Sequence, residues 1–189
     1  ADLSEEMLAV ARRVAVEVGA SPRFVRTPYA ELEKNVGDGF DGVYCLANSL
    51  AAAGSRAAVR EAVGQFARCL RPGGKLFVQV LNFPPMRSEV PCVKGPRVTK
   101  VRGVEYVSAR NFAFDDDGAL VSNITFWNDG GWKCHAQGRR LYPVTHEELR
   151  SFCEESGLRI DTTWGDYSKA PFDPARSVDL IVVATSGRR

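Results

Sequence analysis

The sequence holds no Cys-x-x-Cys pair, only two histidines and no apolar stretch near the ~20 residues that a membrane-spanning helix needs. The five cysteines, Cys45, Cys69, Cys92, Cys134 and Cys153, are odd in number and widely spaced. Neither a disulfide framework nor a zinc ribbon is indicated, and they read as free thiols, mostly buried. His135 and His146 lie at no ligand spacing from a second metal-binding residue type, so no metal site is expected. Charge of one sign is also scarce. With 25 Lys plus Arg against 23 Asp plus Glu, the balance is 25 − 23 = +2, too little to attract nucleic acid or an anionic membrane. No basic-then-apolar leader opens the chain, so a cytoplasmic location is the expectation. Gly-x-Ser-x-Gly and the phosphate-binding Gly-rich Lys loop are both missing, which removes two common hydrolytic and nucleotide-hydrolysing designs.

What remains is ordinary globular composition, 44% apolar and 25% charged, in 189 residues. That length suits one core burying roughly 70% of the unfolded surface. Ser4 to Val18 reads as an amphipathic helix with Met7, Leu8, Ala11, Val14, Ala15 and Val18 inward. Phe40 to Leu46 and Leu76 to Leu81 are continuous apolar strands. Between them, Ser55 to Leu70 places Val59, Ala62, Val63, Phe66 and Leu70 on one helical face. Strand, helix, strand implies a right-handed crossover and an α/β, doubly wound, mostly parallel sheet.

From Asn82 the prolines Pro84, Pro85, Pro91 and Pro96 read as a loop. Val104 to Phe114, Ala119 to Trp127 and Trp132 to Leu141 then alternate with period two, an antiparallel meander whose acidic Asp115 to Asp117 run forms a solvated tip. Thr145-His146-Glu147-Glu148 is a capping box. Leu158 to Trp164 and Val178 to Thr185 lie too close for a crossover helix, so an antiparallel final pair is expected. The divisions are residues 1–82, the front of the α/β core; 83–141, a β insertion; and 142–189, the end of the core.

Three segments carry a family resemblance: Asp2-Leu3-Ser4-Glu5-Glu6-Met7-Leu8, Phe40-Asp41-Gly42-Val43-Tyr44-Cys45-Leu46-Ala47-Asn48-Ser49-Leu50, and Leu70-Arg71-Pro72-Gly73-Gly74-Lys75-Leu76. In this order they resemble the class I S-adenosylmethionine (SAM)-dependent methyltransferases. Arg139-Arg140-Leu141-Tyr142-Pro143 and Trp164-Gly165-Asp166-Tyr167 are similar to the small-molecule branch of glycine and sarcosine N-methyltransferases. The resemblance implies a Rossmann-like fold whose first strand and glycine-rich turn lie upstream of Ala1, with SAM as cofactor and S-adenosylhomocysteine as product. It also implies a small-molecule acceptor methylated at nitrogen or oxygen. Pro28 stands where many relatives carry an acid, which leaves adenine to the Tyr29 backbone.

On this reading Asp2, at a strand end, accepts both ribose hydroxyls, and its alternative role is as a helix-start acid. Leu3, Met7 and Tyr29 border the adenine, and the main chain of Leu46 and Ala47 meets the methionine end at the sheet's carboxyl edge. Asn48, Ser49 and Asn82 continue that edge toward the acceptor, with turn formation as the alternative for the first two. Tyr142 and Arg140 share one side of an extended segment and would converge on a carboxylate-bearing amine, with Arg139 on the other side; a solvated strand end is the alternative, and for Arg140 the preferred one. The insertion is expected to act as a lid or as the contact of a homo-oligomer. A non-catalytic methyltransferase-like binding module is the rival reading. The Arg71–Gly74 turn and the final antiparallel pair argue against a dinucleotide-dependent oxidoreductase.

Overall fold

Two apolar runs joined by one helix set the main sheet. The computed structural model describes residues 1–88, 92–116 and 118–187; Pro91 and Asp117 lie outside them. β1 (Phe40–Cys45) and β2 (Leu70–Leu81) run parallel. Ahead of them α1 (Glu5–Glu17) and the short α2 (Leu32–Val36) are laid down, and α3 (Arg56–Cys69) crosses between the strands. Ser55 starts α3 by accepting the Ala58 N–H at 3.2 Å, and Val59, Ala62, Val63 and Phe66 are buried along its inner side. Just past the helix, in the first residues of β2, Gly73 adopts φ 73° and a Cβ on Gly74 would sit 2.9 Å from the carbonyl oxygens of Arg71 and Phe40. Only glycines allow this entry into the strand.

The sheet is completed from the far end of the chain. α4 (Phe83–Arg87) follows β2, a four-stranded meander intervenes, and then come α5 (His146–Glu155), β7 (Leu158–Trp164) and β8 (Asp179–Ser186). The order is β1-β2-β8-β7, with β8 antiparallel to both neighbours. The result is a mixed sheet, with α3 and α5 packed together beside it. Thr145 and Glu148 form the expected capping box on α5. Exposed pairs Arg56–Glu148 at 2.9 Å and Arg60–Glu155 at 2.7 Å join the two helices, and each contributes on the order of 0.5 kcal/mol.

The meander comprises β3 (Cys92–Val101), β4 (Val104–Asp115), β5 (Gly118–Asn128) and β6 (Trp132–Leu141), all antiparallel and in sequence order. It is one strand larger than the period-two pattern suggests. Pro96 sits where the β3 register shifts between Lys94 and Arg97, and β3 is an edge strand, so the missing N–H of proline is tolerated. Pro84 and Pro85 similarly occupy the first turn of α4, where no N–H is required. Phe83, Met86, Cys92, Phe112, Ala119, Val121 and Leu141 form a second core that joins meander to sheet.

Two expectations about burial change. β1 is an edge strand rather than a strand covered on both sides: Tyr44 is 73% exposed and only Cys45 is buried. On α1 only Leu8 and Ala15 are buried, whereas Met7 and Val14 are about half exposed and Val18 is 70% exposed. The helical period is right, but the described residues cover only part of the apolar stripe.

Candidate functional site

Parallel strands release their side chains and loops at the carboxyl edge, and here a crevice of about 700 Å³ runs beside β1 from Phe40 to Leu46 and reaches that edge. One wall comes from the chain start. Asp2 forms an isolated parallel bridge with Arg26, its N–H donating to Val25 O at 3.1 Å while its carbonyl accepts from Thr27 N at 3.1 Å. The Asp2 carboxylate accepts the Ser4 N–H through Oδ1 at 2.8 Å. It thus fills the helix-start role and also lines the crevice with Leu3.

The floor is aromatic and sulfur-rich. Tyr29 stands edge-on to Phe66 at 5.4 Å, and its hydroxyl lies 3.6 Å from Cys45 Sγ. Burial pushes the Tyr29 phenol well above its ordinary range, with Cys45 and Asp2 adding to the shift and Arg139 opposing it. Burial also raises the Cys45 thiol, partly offset by Tyr29. Gln65 holds this segment from α3: its Nε2 donates to Ala30 O at 2.7 Å and its Oε1 accepts from Glu33 N at 3.0 Å.

At the end of β1 the chain turns through two consecutive left-handed residues, Ala47 at φ 55° and Asn48 at φ 61°. Asn accepts this conformation readily; Ala pays about 1 kcal/mol. The turn is clamped from below. Asn48 Oδ1 accepts Leu81 N–H at 3.0 Å and its own N–H donates to Gln79 Oε1 at 3.2 Å, while Gln79 Nε2 donates to Asp179 Oδ1 at 2.6 Å. This network presents Leu46 and Ser49 to the crevice.

The structure therefore gathers Asp2, Leu3, Tyr29, Leu46 and Ser49 around one opening. Ala47 adjoins them in the turn. Met7 does not line the crevice and stands 57% exposed on α1. Asn48 spends its side chain on the clamp. Asn82 is buried, and its amide donates to Pro174 O and Ser177 O at 3.0 and 2.8 Å. Arg140 makes a two-pronged pair with Asp115 at 2.8 and 2.9 Å. Tyr142 donates to Glu148 Oε1 at 2.6 Å, and burial together with Glu148 pushes its phenol up to about 12. Neither of the last two reaches the crevice. Arg139 does. Its signal was the two-residue period, which puts it on the side of buried Leu141. Among the described residues no group of three or more His, Cys, Asp or Glu side chains gathers to hold a metal, and no helix is long and apolar enough to cross a membrane.

Comparison with known proteins bears on the same segment. Residues 1–74 match the family described as methyltransferase domain. No curated protein matches the chain. Among solved structures, a SAM-dependent methyltransferase from Clostridium acetobutylicum superposes at a TM-score of 0.79 with 17% identity, over 98% of this chain and 73% of its own. DesVI of Streptomyces venezuelae superposes at 0.77 with 19% identity, over 96% and 71%. The sugar N-methyltransferase KedS8 from a Streptoalloteichus species superposes at 0.74 with 21% identity, over 96% and 68%. These likenesses establish the fold, a Rossmann-like methyltransferase architecture.

Proposed function

We propose that the chain is the larger part of a SAM-dependent methyltransferase that modifies nitrogen or oxygen of a small metabolite. The observation that carries this reading is the convergence of Asp2, Leu3, Tyr29 and Leu46 on one crevice that borders β1 and reaches its carboxyl end, inside the segment that matches the methyltransferase domain family. The fit to a nucleoside rests on the groups present. A carboxylate with a second oxygen beyond its Ser4 bond suits ribose hydroxyls. The backbone after Pro28 and at Leu46 and Ala47 offers polar groups for adenine and for an amino-acid end. The acceptor class is carried by the similarity of Arg139–Pro143 to the glycine and sarcosine branch, and the sugar N-methyltransferase fold of KedS8 is compatible with it.

When bound, SAM supplies a methyl group activated on a sulfonium. Such a transfer requires in-line alignment and exclusion of water rather than a strong base. Asp2 would orient the nucleoside, the clamped Ala47–Asn48 turn would fix the reacting end, and Ser49 and Arg139 would face the acceptor. Arg139, from the meander, lines the crevice. Among the described residues no strand pairs with the outer edge of β1, and a further parallel strand with a glycine turn along that edge would complete the cradle. The 189-residue chain alone should therefore bind SAM weakly.

Titration calorimetry with SAM and S-adenosylhomocysteine on a chain that includes such a strand tests the proposal. Both should bind, and Asp2→Ala should weaken both about tenfold, the value of one charge-assisted hydrogen-bond pair. Binding of neither would favour the non-catalytic module.

A further inference from the structure

The overall charge of +2 conceals a sorted distribution. Pleating sends alternate residues of a sheet to opposite sides, and cross-strand register fixes which of them share one. One side of the meander carries Phe112 and Val121 into the second core, and Arg139 belongs to their row. In the next row Lys94 pairs with Arg110 and Arg110 with Asn123; in the one after, Arg97 pairs with Ser108. Farthest from the core, Tyr106 pairs with Trp127 and Trp127 with Lys133. Among the described residues of this side the charged ones are all cations: Lys94, Arg97, Arg110, Lys133 and Arg139. The acids of the meander sit elsewhere, Glu105 and Asp115 on the opposite side and Asp116 and Asp129 in the turns between strands. The Tyr106 and Trp127 rings stack at 5.7 Å and 28°. Two residues of strand advance about 6.8 Å, which puts these rings about 20 Å from the row of Arg139.

We infer that this face binds single-stranded nucleic acid, with phosphates on Arg97 and Arg110 and a base on the Tyr106–Trp127 stack. Charge is the first argument. A side of one sign sets up a local field that the net charge of the chain does not report, and planar guanidinium groups match phosphate oxygens two at a time. Arg110 Nε donates to Asn123 Oδ1 at 2.9 Å, which steadies that group on the sheet. The rings are the second argument. A stacked pair accepts another flat ring on its outer side, and bases stack on aromatic side chains regardless of sequence. Between cations and rings, the Asn123 amide and the Ser108 and Thr125 hydroxyls supply donors and acceptors for base edges, which a single strand exposes and a duplex hides. An acidic protein segment would use the cations but leave the rings idle. The inference goes beyond the methyl-transfer reading and does not depend on it, because of these residues only Arg139 lines the crevice.

Fluorescence anisotropy of a labelled single strand of about ten nucleotides, titrated with the unaltered chain, is the test. Binding should weaken as salt rises, with a log–log slope of about −2, the value for about three phosphate contacts. Arg97→Ala should make the slope shallower by about 0.7. Trp127→Ala should weaken binding about tenfold and leave the slope unchanged. Lys100→Ala, on the opposite side, should change affinity less than about twofold. Circular dichroism reports whether each variant folds. Should Trp127→Ala unfold, the double variant Arg97→Ala with Arg110→Ala replaces it, and its slope should be shallower by about 1.4. Absence of binding at low salt overturns the proposal, as does a slope that Arg97→Ala leaves unchanged. Equal binding of a glutamate polymer of the same charge also overturns it and assigns the face to an acidic protein; tighter binding of a duplex than of the single strand does the same for the role of the rings.

Discussion

The Tyr29 hydroxyl and the Cys45 sulfur meet 3.6 Å apart on the floor of the crevice, tying the segment after Pro28 to the end of β1. A contact to sulfur is weak, whereas the edge-on packing of Tyr29 against Phe66 is worth about 1 kcal/mol beyond burial. Tyr29→Phe should therefore change urea stability by less than about 1 kcal/mol, and Tyr29→Ala should cost about 3 kcal/mol. Equal losses in the two variants would mean that the hydroxyl, not the ring, holds this floor together.

The Ala47–Asn48 turn makes a sharper prediction. Asn48→Ala removes the acceptor for Leu81 N–H and keeps an unfavourable left-handed backbone, so about 2 kcal/mol should be lost. Asn48→Gly removes the same acceptor but relaxes the backbone, and should be less destabilising by about 1 kcal/mol. Denaturant melts of the pair decide it; an Ala variant as stable as Gly would show that φ is not the constraint.

Gly74 has no room for a side chain, since a Cβ there would lie 2.9 Å from two carbonyl oxygens. Gly74→Ala should cost about 2 kcal/mol or more through displacement of β1 against β2. Gly103, with φ 86° and open space around it, should lose only about 1 kcal/mol on the same change.

Alkaline pH should unfold the chain through its buried thiols and phenols. Burial raises Cys45 and Cys69, and takes Cys153 from 9.0 to about 12. Because the folded values are the higher ones, stability is intact below the unfolded value and is lost as pH rises. Cys153 alone should remove about 1.4 kcal/mol per pH unit between 9 and 12. Asp161 works in the other direction: its bond from Lys75, helped by Thr185, holds its carboxyl below the usual range. Its contribution is present above that range and disappears as pH falls below about 4. Melting temperature measured from pH 3 to 11 should fall at both ends, and Cys153→Ala should flatten the alkaline limb.

Strand-helix-strand order was readable because the apolar runs at Phe40 and Leu76 and the stripe through Val59, Val63 and Phe66 each obey one period. β3 was not, because Pro96 and its charged residues read as a loop until an edge position excuses them. Leu46 and Ser49 could be grouped from the rule that parallel strands open at their carboxyl ends, whereas Asp2, Leu3 and Tyr29 joined them through the family resemblance of their segments, and all five line one crevice. Tyr142, Arg140 and Asn82 could not be placed in this way. A period tells which side of a strand a residue takes, not that Glu148, Asp115 and the Pro174–Ser177 backbone already occupy its polar atoms.

The penultimate place of β8 in the sheet has a consequence for the order of assembly. β7 leaves the ribosome first, yet among the described residues its strand ladder forms only when Asp179–Ser186 slides in between it and β2. Nascent chains stalled before Val182 should thus hold Leu158–Trp164 undocked and open to protease, and closure of the layer should come as one late event.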